Sequence, residues 1–70
     1  MAAAVTRPLI VGADVGVVSR AAFAIGGPFL WATRAEHVRP DSPVARVVWA
    51  TPKRLLPPDL VAAAERLVAP

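Results

Sequence analysis

The sequence predicts an α+β domain in which a short antiparallel sheet is closed by a C-terminal helix. Three observations lead there. Apolar runs rich in Val, Ile, Phe and Trp are cut at short intervals by Gly and Pro, the way strands alternate with turns. A Pro-Pro-Asp step precedes an alanine-rich stretch whose apolar residues recur at helical spacing. The chain has 70 residues, enough for one core and too few for two, so residues 1–70 read as a single small domain.

Leu9-Ile10-Val11 is a buried-strand signal that stops at Gly12. Gly12-Ala13-Asp14-Val15-Gly16 then reads as a turn with one carboxylate between glycines. Ala21 to Ile25 is expected as a second strand, Gly26-Gly27-Pro28 as a turn and Phe29 to Thr33 as a third strand, so that the pair forms a hairpin. Arg34 to Pro43, with its charges and prolines, is expected as a loop. Val44 to Trp49 is the last strand, with Ala45, Val47 and Trp49 on one face and Val44, Arg46 and Val48 on the other. Lys53-Arg54, between Pro52 and Pro57, forms an exposed, stiff connection. Leu60 to Ala69 is the helix, started by Pro58 or Asp59, and Leu60, Ala63, Ala64, Leu67 and Val68 make its apolar stripe. A helix of roughly ten residues is not stable alone, so the stripe must dock on something.

Pro8 to Thr33 admits a rival reading, because its only charges are Asp14 and Arg20 and it is long enough to cross a bilayer. The chain would then be a single-pass accessory subunit of a respiratory or photosynthetic membrane complex, and the apolar content of 56% supports it. Against it, Arg20 falls mid-span, where insertion costs about 2.5–3.5 kcal/mol, and Gly26-Gly27-Pro28 would break the helix. Gly12-x-x-x-Gly16 alone is a weak packing motif. Met1 to Thr6 lacks the basic start of a secretory signal, so the soluble reading places the chain in the cytoplasm.

Eight Lys and Arg against five Asp and Glu give a net charge of +3. All the cations but Lys53 are Arg, spread without a basic run. Arg20, Arg34, Arg46, Lys53 and Arg54 are candidates for nucleic-acid contact, and Trp31 and Trp49 could form a stacking platform for single-stranded bases. The competing readings make both Trp residues core or a partner interface. With no Cys and only His37 as a histidine, neither a disulfide framework nor a metal site is expected, and no cofactor is called for. His37 is either a surface histidine or a general base. A domain this small is marginal, which makes a protein partner or a homo-oligomer the expected source of further stability.

Two resemblances bear on function. Asp14-x-Gly16 after a strand is similar to the end of the first strand in ribonuclease H-like and actin-like ATPase folds. Thr6-Arg7-Pro8-Leu9-Ile10-Val11 resembles a strand of the MazF/PemK family of toxin ribonucleases. His37-Val38 through Ser42-x-Val44, then Pro52 to Leu60 and the closing helix, is similar to that family's last strand, basic connection and helix. This second resemblance implies a dimeric SH3-like barrel, here a partial one, that cleaves RNA without metal and is restrained by an antitoxin. It makes Arg20 the stand-in for the catalytic arginine. The family's opening strand and its Thr-Ser segment have no counterpart here, so no hydroxyl accompanies Arg20.

Overall fold

The computed structural model describes residues 6–69. Strands β1 (Arg7–Val11), β2 (Leu30–Ala32) and β3 (Val44–Trp49) form one sheet in the order β2-β1-β3. Helix α1 (Val15–Ile25) joins β1 to β2, and helix α2 (Pro58–Val68) follows β3. Short 3-10 turns at Ala35–His37 and Lys53–Leu55 occupy parts of the expected loop and connection. A sheet with a closing helix is therefore present, but the expected antiparallel arrangement is not: β1 pairs in parallel with both neighbours. The three-stranded sheet is also open, so the SH3-like partial barrel is not formed.

The difference begins in α1. Ala21 to Ile25, expected as a strand, is the second half of this helix, and the hairpin with Phe29 to Thr33 does not exist. Asp14 sits in extended backbone and its Oδ1 accepts the Val17 N–H at 2.9 Å, capping the helix start. Gly26 ends the helix at φ 70°, a left-handed conformation that favours glycine, with its N–H donated to the Ala22 carbonyl. Between these caps, Val18, Ala21, Ala22 and Ile25 fall at i, i+3, i+4 and i+7, and this face turns inward. Packing on the sheet outweighs the weak preference of Val for strands. The helix carries the chain back along β1, so β2 starts at the same end as β1 and must run parallel to it. Pro8 to Thr33 is thus strand, helix and strand, and among the described residues no helix is long and apolar enough to cross a membrane.

The sheet has two unlike faces. Leu9, Val11 and Ala32 are buried with Leu56, Leu60 and Ala64, and Val44, Val47 and Trp49 of β3 pack against this cluster. α2 covers that face, with the predicted stripe inward at Leu60 and Ala64, while Val68, expected to belong to it, is exposed at the helix end. Ile10 points the other way and is wholly buried, as Val18 of α1 nearly is; neither belongs to the α2-side cluster. Ile10 pairs with Trp31 on one side and Val48 on the other, which puts those two on the α1 side as well.

The facing of β3 differs from simple alternation. Arg7 pairs with Val44 but Leu9 with Val47, so β3 takes one extra residue over the same length. This bulge lets both Val44 and Val47 face α2, and Ala45 and Arg46 are left exposed.

Candidate functional site

In a parallel sheet, ligands commonly lie beyond the carboxyl ends of strands whose connections leave toward opposite faces. Here β1 leads to α1 on one face and β3 leads to α2 on the other, so the ends of β1 and β3 mark that place. The chain's own atoms fill it. A Cβ on Gly12 would stand 2.7 Å from Val18 Cγ2 and 3.1 Å from Ala50 Cβ. The Ala13 N–H donates to the buried Thr51 Oγ1 at 3.0 Å, stitching the β1 end to the β3 end. Gly12 therefore serves the close approach of strand and helix. Asp14 already accepts a helix N–H and brings negative charge, so the turn is a structural junction and no phosphate cradle. Among the described residues, no three His, Asp or Glu side chains come close enough to share a metal ion.

The predicted nucleic-acid residues are dispersed. Trp31 and Trp49 lie on opposite faces of the sheet and form no common platform. Trp49 packs against the α2-side core, and Lys53 Nζ sits 4.7 Å from its ring centroid. Lys53 also pairs with Glu65 at 3.6 Å, and Arg34 pairs with Glu36 at the same distance, so both cations already have carboxylate neighbours. Arg54 is exposed in the 3-10 turn beside Lys53. These residues border an open hollow of about 770 Å³ against α2, lined by Leu56, Pro58 and Val61 together with Glu65 and Arg66, a mixed-charge surface. His37 is exposed, and its Nδ1 accepts the Thr33 N–H at 3.3 Å, which fastens its turn to the end of β2. That bond occupies the nitrogen a base at this position would use.

Among the described residues, the exposed Phe and Trp side chains lie on α1, just before β2 and in β2. Phe23, on the outer surface of α1, is 90% exposed, and Trp31 of β2 is 39% exposed. Val15 opens α1 and Phe29 leads into β2, both exposed. Arg20 is exposed on α1, and Arg46 is exposed at the β3 bulge. Neither arginine is in an ion pair among the described residues. Of the carboxylates, Asp59 and Glu65 are on α2, Glu36 is in the 3-10 turn that packs on α2, Asp41 precedes β3, and Asp14 is exposed at the start of α1 itself. Phe23 was hidden in the sequence by the strand reading of Ala21 to Ile25; the Asp14 and Gly26 helix signals are what could have exposed it.

Arg20, the stand-in for a catalytic arginine, is on α1 without a hydroxyl or carboxylate hydrogen-bond partner among the described residues. No protein-family model matches the chain, and no curated protein or solved structure is matched by it.

Proposed function

We propose that the chain is a small basic binding module that docks a macromolecular partner on its α1 side. The observation that supports this is the make-up of that face. Phe23 and Arg20 are exposed along α1, Val15 is exposed at its start, and Phe29 and Trp31 are exposed before and in β2. Buried interface cores are enriched in aromatic residues and Arg and depleted in Lys, Glu and Asp, and the residues that dominate binding energy are often Trp and Arg. A Phe left almost fully in water gains nothing for folding, whereas burying it against a partner is worth about 1.5–3 kcal/mol.

A component of a toxin–antitoxin system is one form such a module takes. Its RNA-cleaving version requires that expression of the chain deplete cellular RNA; intact RNA would remove that version and leave the docking reading in place. The membrane-subunit alternative has no comparable feature in its favour.

The docking reading is tested with Phe23→Glu in the full-length chain. In native extract the unaltered chain should migrate above its own 7.3 kDa mass, and the variant should fall back to that mass with an unchanged thermal midpoint. Equal migration of the two would overturn the reading.

A further inference from the structure

We infer that the exposed face of α1 binds the same face of a second copy of this chain, the two helices lying antiparallel about a two-fold axis that passes between Ser19 and Arg20. The inference rests on the docking reading above and names the occupant of that face. Gly16, Ser19, Arg20 and Phe23 fall at i, i+3, i+4 and i+7, so they share one stripe along α1, opposite its inward face. All four are exposed, Phe23 at 90%. With the axis midway between Ser19 and Arg20, each position lies level with the one equally far beyond that midpoint in the other copy. Gly16 and Phe23 are such a pair.

The fold itself needs neither residue. Glycine is a poor helix former, and a Cβ on Gly16 would meet, besides its chain neighbours, just Asp14 Oδ1 at an ordinary 3.4 Å. Among the described residues, the glycine with positive φ is Gly26, so backbone conformation does not call for glycine at position 16. Phe23 stands in water. Set across a two-fold axis, the two explain each other: the missing side chain is the hollow that the other copy's ring fills, and Ser19 keeps the axis itself uncrowded. Arg20, at the border of the stripe, keeps its guanidinium in water. Each copy also brings Asp14, exposed at the helix start, so the joined helices carry as many carboxylates as guanidinium groups. The antiparallel setting opposes the two helix dipoles as well.

Other occupants use less of this pattern. A foreign partner needs the Phe23 knob alone, whereas a matching hollow on the same stripe is what a self-complementary face carries. RNA and anionic bilayers are drawn by clusters of cations, and the stripe has Arg20 alone. Pairing of copies through the outer edge of β3 is blunted by its bulge and the exposed Arg46. α1 has 11 residues. At about 16 Å long it makes a contact at the small end of specific interfaces, so the dimer should form at roughly micromolar concentration.

The chain has no cysteine, so single cysteines report the contact cleanly. In the purified full-length chain under mild oxidation, Ser19→Cys, beside the axis, should form a disulfide dimer. Ala24→Cys, exposed on the same helix but about 13 Å from its own image along the axis, should not. Sedimentation equilibrium of the unaltered chain should show a concentration-dependent dimer. Phe23→Ala and Gly16→Phe should each weaken it at least tenfold. Combined, they exchange knob and hollow and should recover most of the loss, with circular dichroism verifying that each variant is folded. A dimer that cross-links through Ala45→Cys in the edge strand β3 and not through Ser19→Cys overturns the inference. So does a double variant that associates no more tightly than either single one. If the purified chain stays monomeric while its complex in native extract still depends on Phe23, the inference fails and the docking reading stands with a different occupant. If no complex forms in either setting, both fail.

Discussion

The two faces of the sheet do different work with similar residue types. On the α2 side, Leu9, Val11 and Ala32 meet Leu56, Leu60 and Ala64, and every one of them is buried. On the α1 side, among the described residues, only Ile10 and Val18 are comparably buried, while Phe23 and Trp31, larger than either, remain in contact with water. Apolar side chains have thus been spent on a core on one side, while on the other two large aromatic ones are left available. The difference shows that total hydrophobicity does not locate a binding surface. What locates it is apolar area that the fold could have buried and did not.

The comparison is broken most sharply at Leu60. Leu60→Ala should cost about 2–5 kcal/mol, because it empties a fully buried site in the cluster that α2 forms with Leu9, Val11 and Ala32, and a domain of this size has little more than that in reserve. Urea unfolding read by circular dichroism checks it; a midpoint close to the unaltered protein would mean that the α2 side is not the main core. Next comes the seam between the faces. Gly12→Ala should cost about 1–3 kcal/mol, since its Cβ would press on Val18 Cγ2 and Ala50 Cβ, and neither is the end of a long flexible chain. The measurement is a shift in thermal midpoint, expected to shrink in the double variant with Val18→Ala. Asp14→Ala should cost about 1 kcal/mol through loss of the cap on Val17 N–H, while Asp14→Ser should recover most of it. If neither change moves the unfolding midpoint, α1 is held by packing alone.

How much of this was legible in the sequence differs by element. α2 was, because Pro58, Asp59 and the Leu60 stripe all point the same way. The β1 and β3 segments were also legible as apolar runs with a stop after each. α1 was misread because Val, Phe and Ile within it favour strands locally, while its helix signals, Asp14 and Gly26, are single residues at its two ends. Strand direction followed that error: once Ala21 to Ile25 is taken as a strand, Gly26-Gly27-Pro28 becomes a hairpin turn and the sheet becomes antiparallel. The bulge could not be read at all, since nothing in Val44 to Trp49 taken alone says that Val44 and Val47 will share a face. For the candidate site, Arg20 and Trp31 were named from the sequence, but that Phe23 is exposed beside Arg20's stretch of helix depends on α1 being a helix. Trp49, Lys53 and Arg34 were grouped with them by residue type, and the fold sends them elsewhere.

The parallel arrangement also sets an order of events during synthesis. β1 lies in the middle of the sheet, yet its first partner begins at Leu30 and its second at Val44. No hairpin can close early, so the apolar Leu9-Ile10-Val11 segment emerges from the ribosome long before either of its edges can be covered. Distant pairing of this kind is slow, and an uncovered strand is prone to pair with other chains. The nascent protein should therefore lean on chaperones most heavily in the interval between emergence of β1 and emergence of β3.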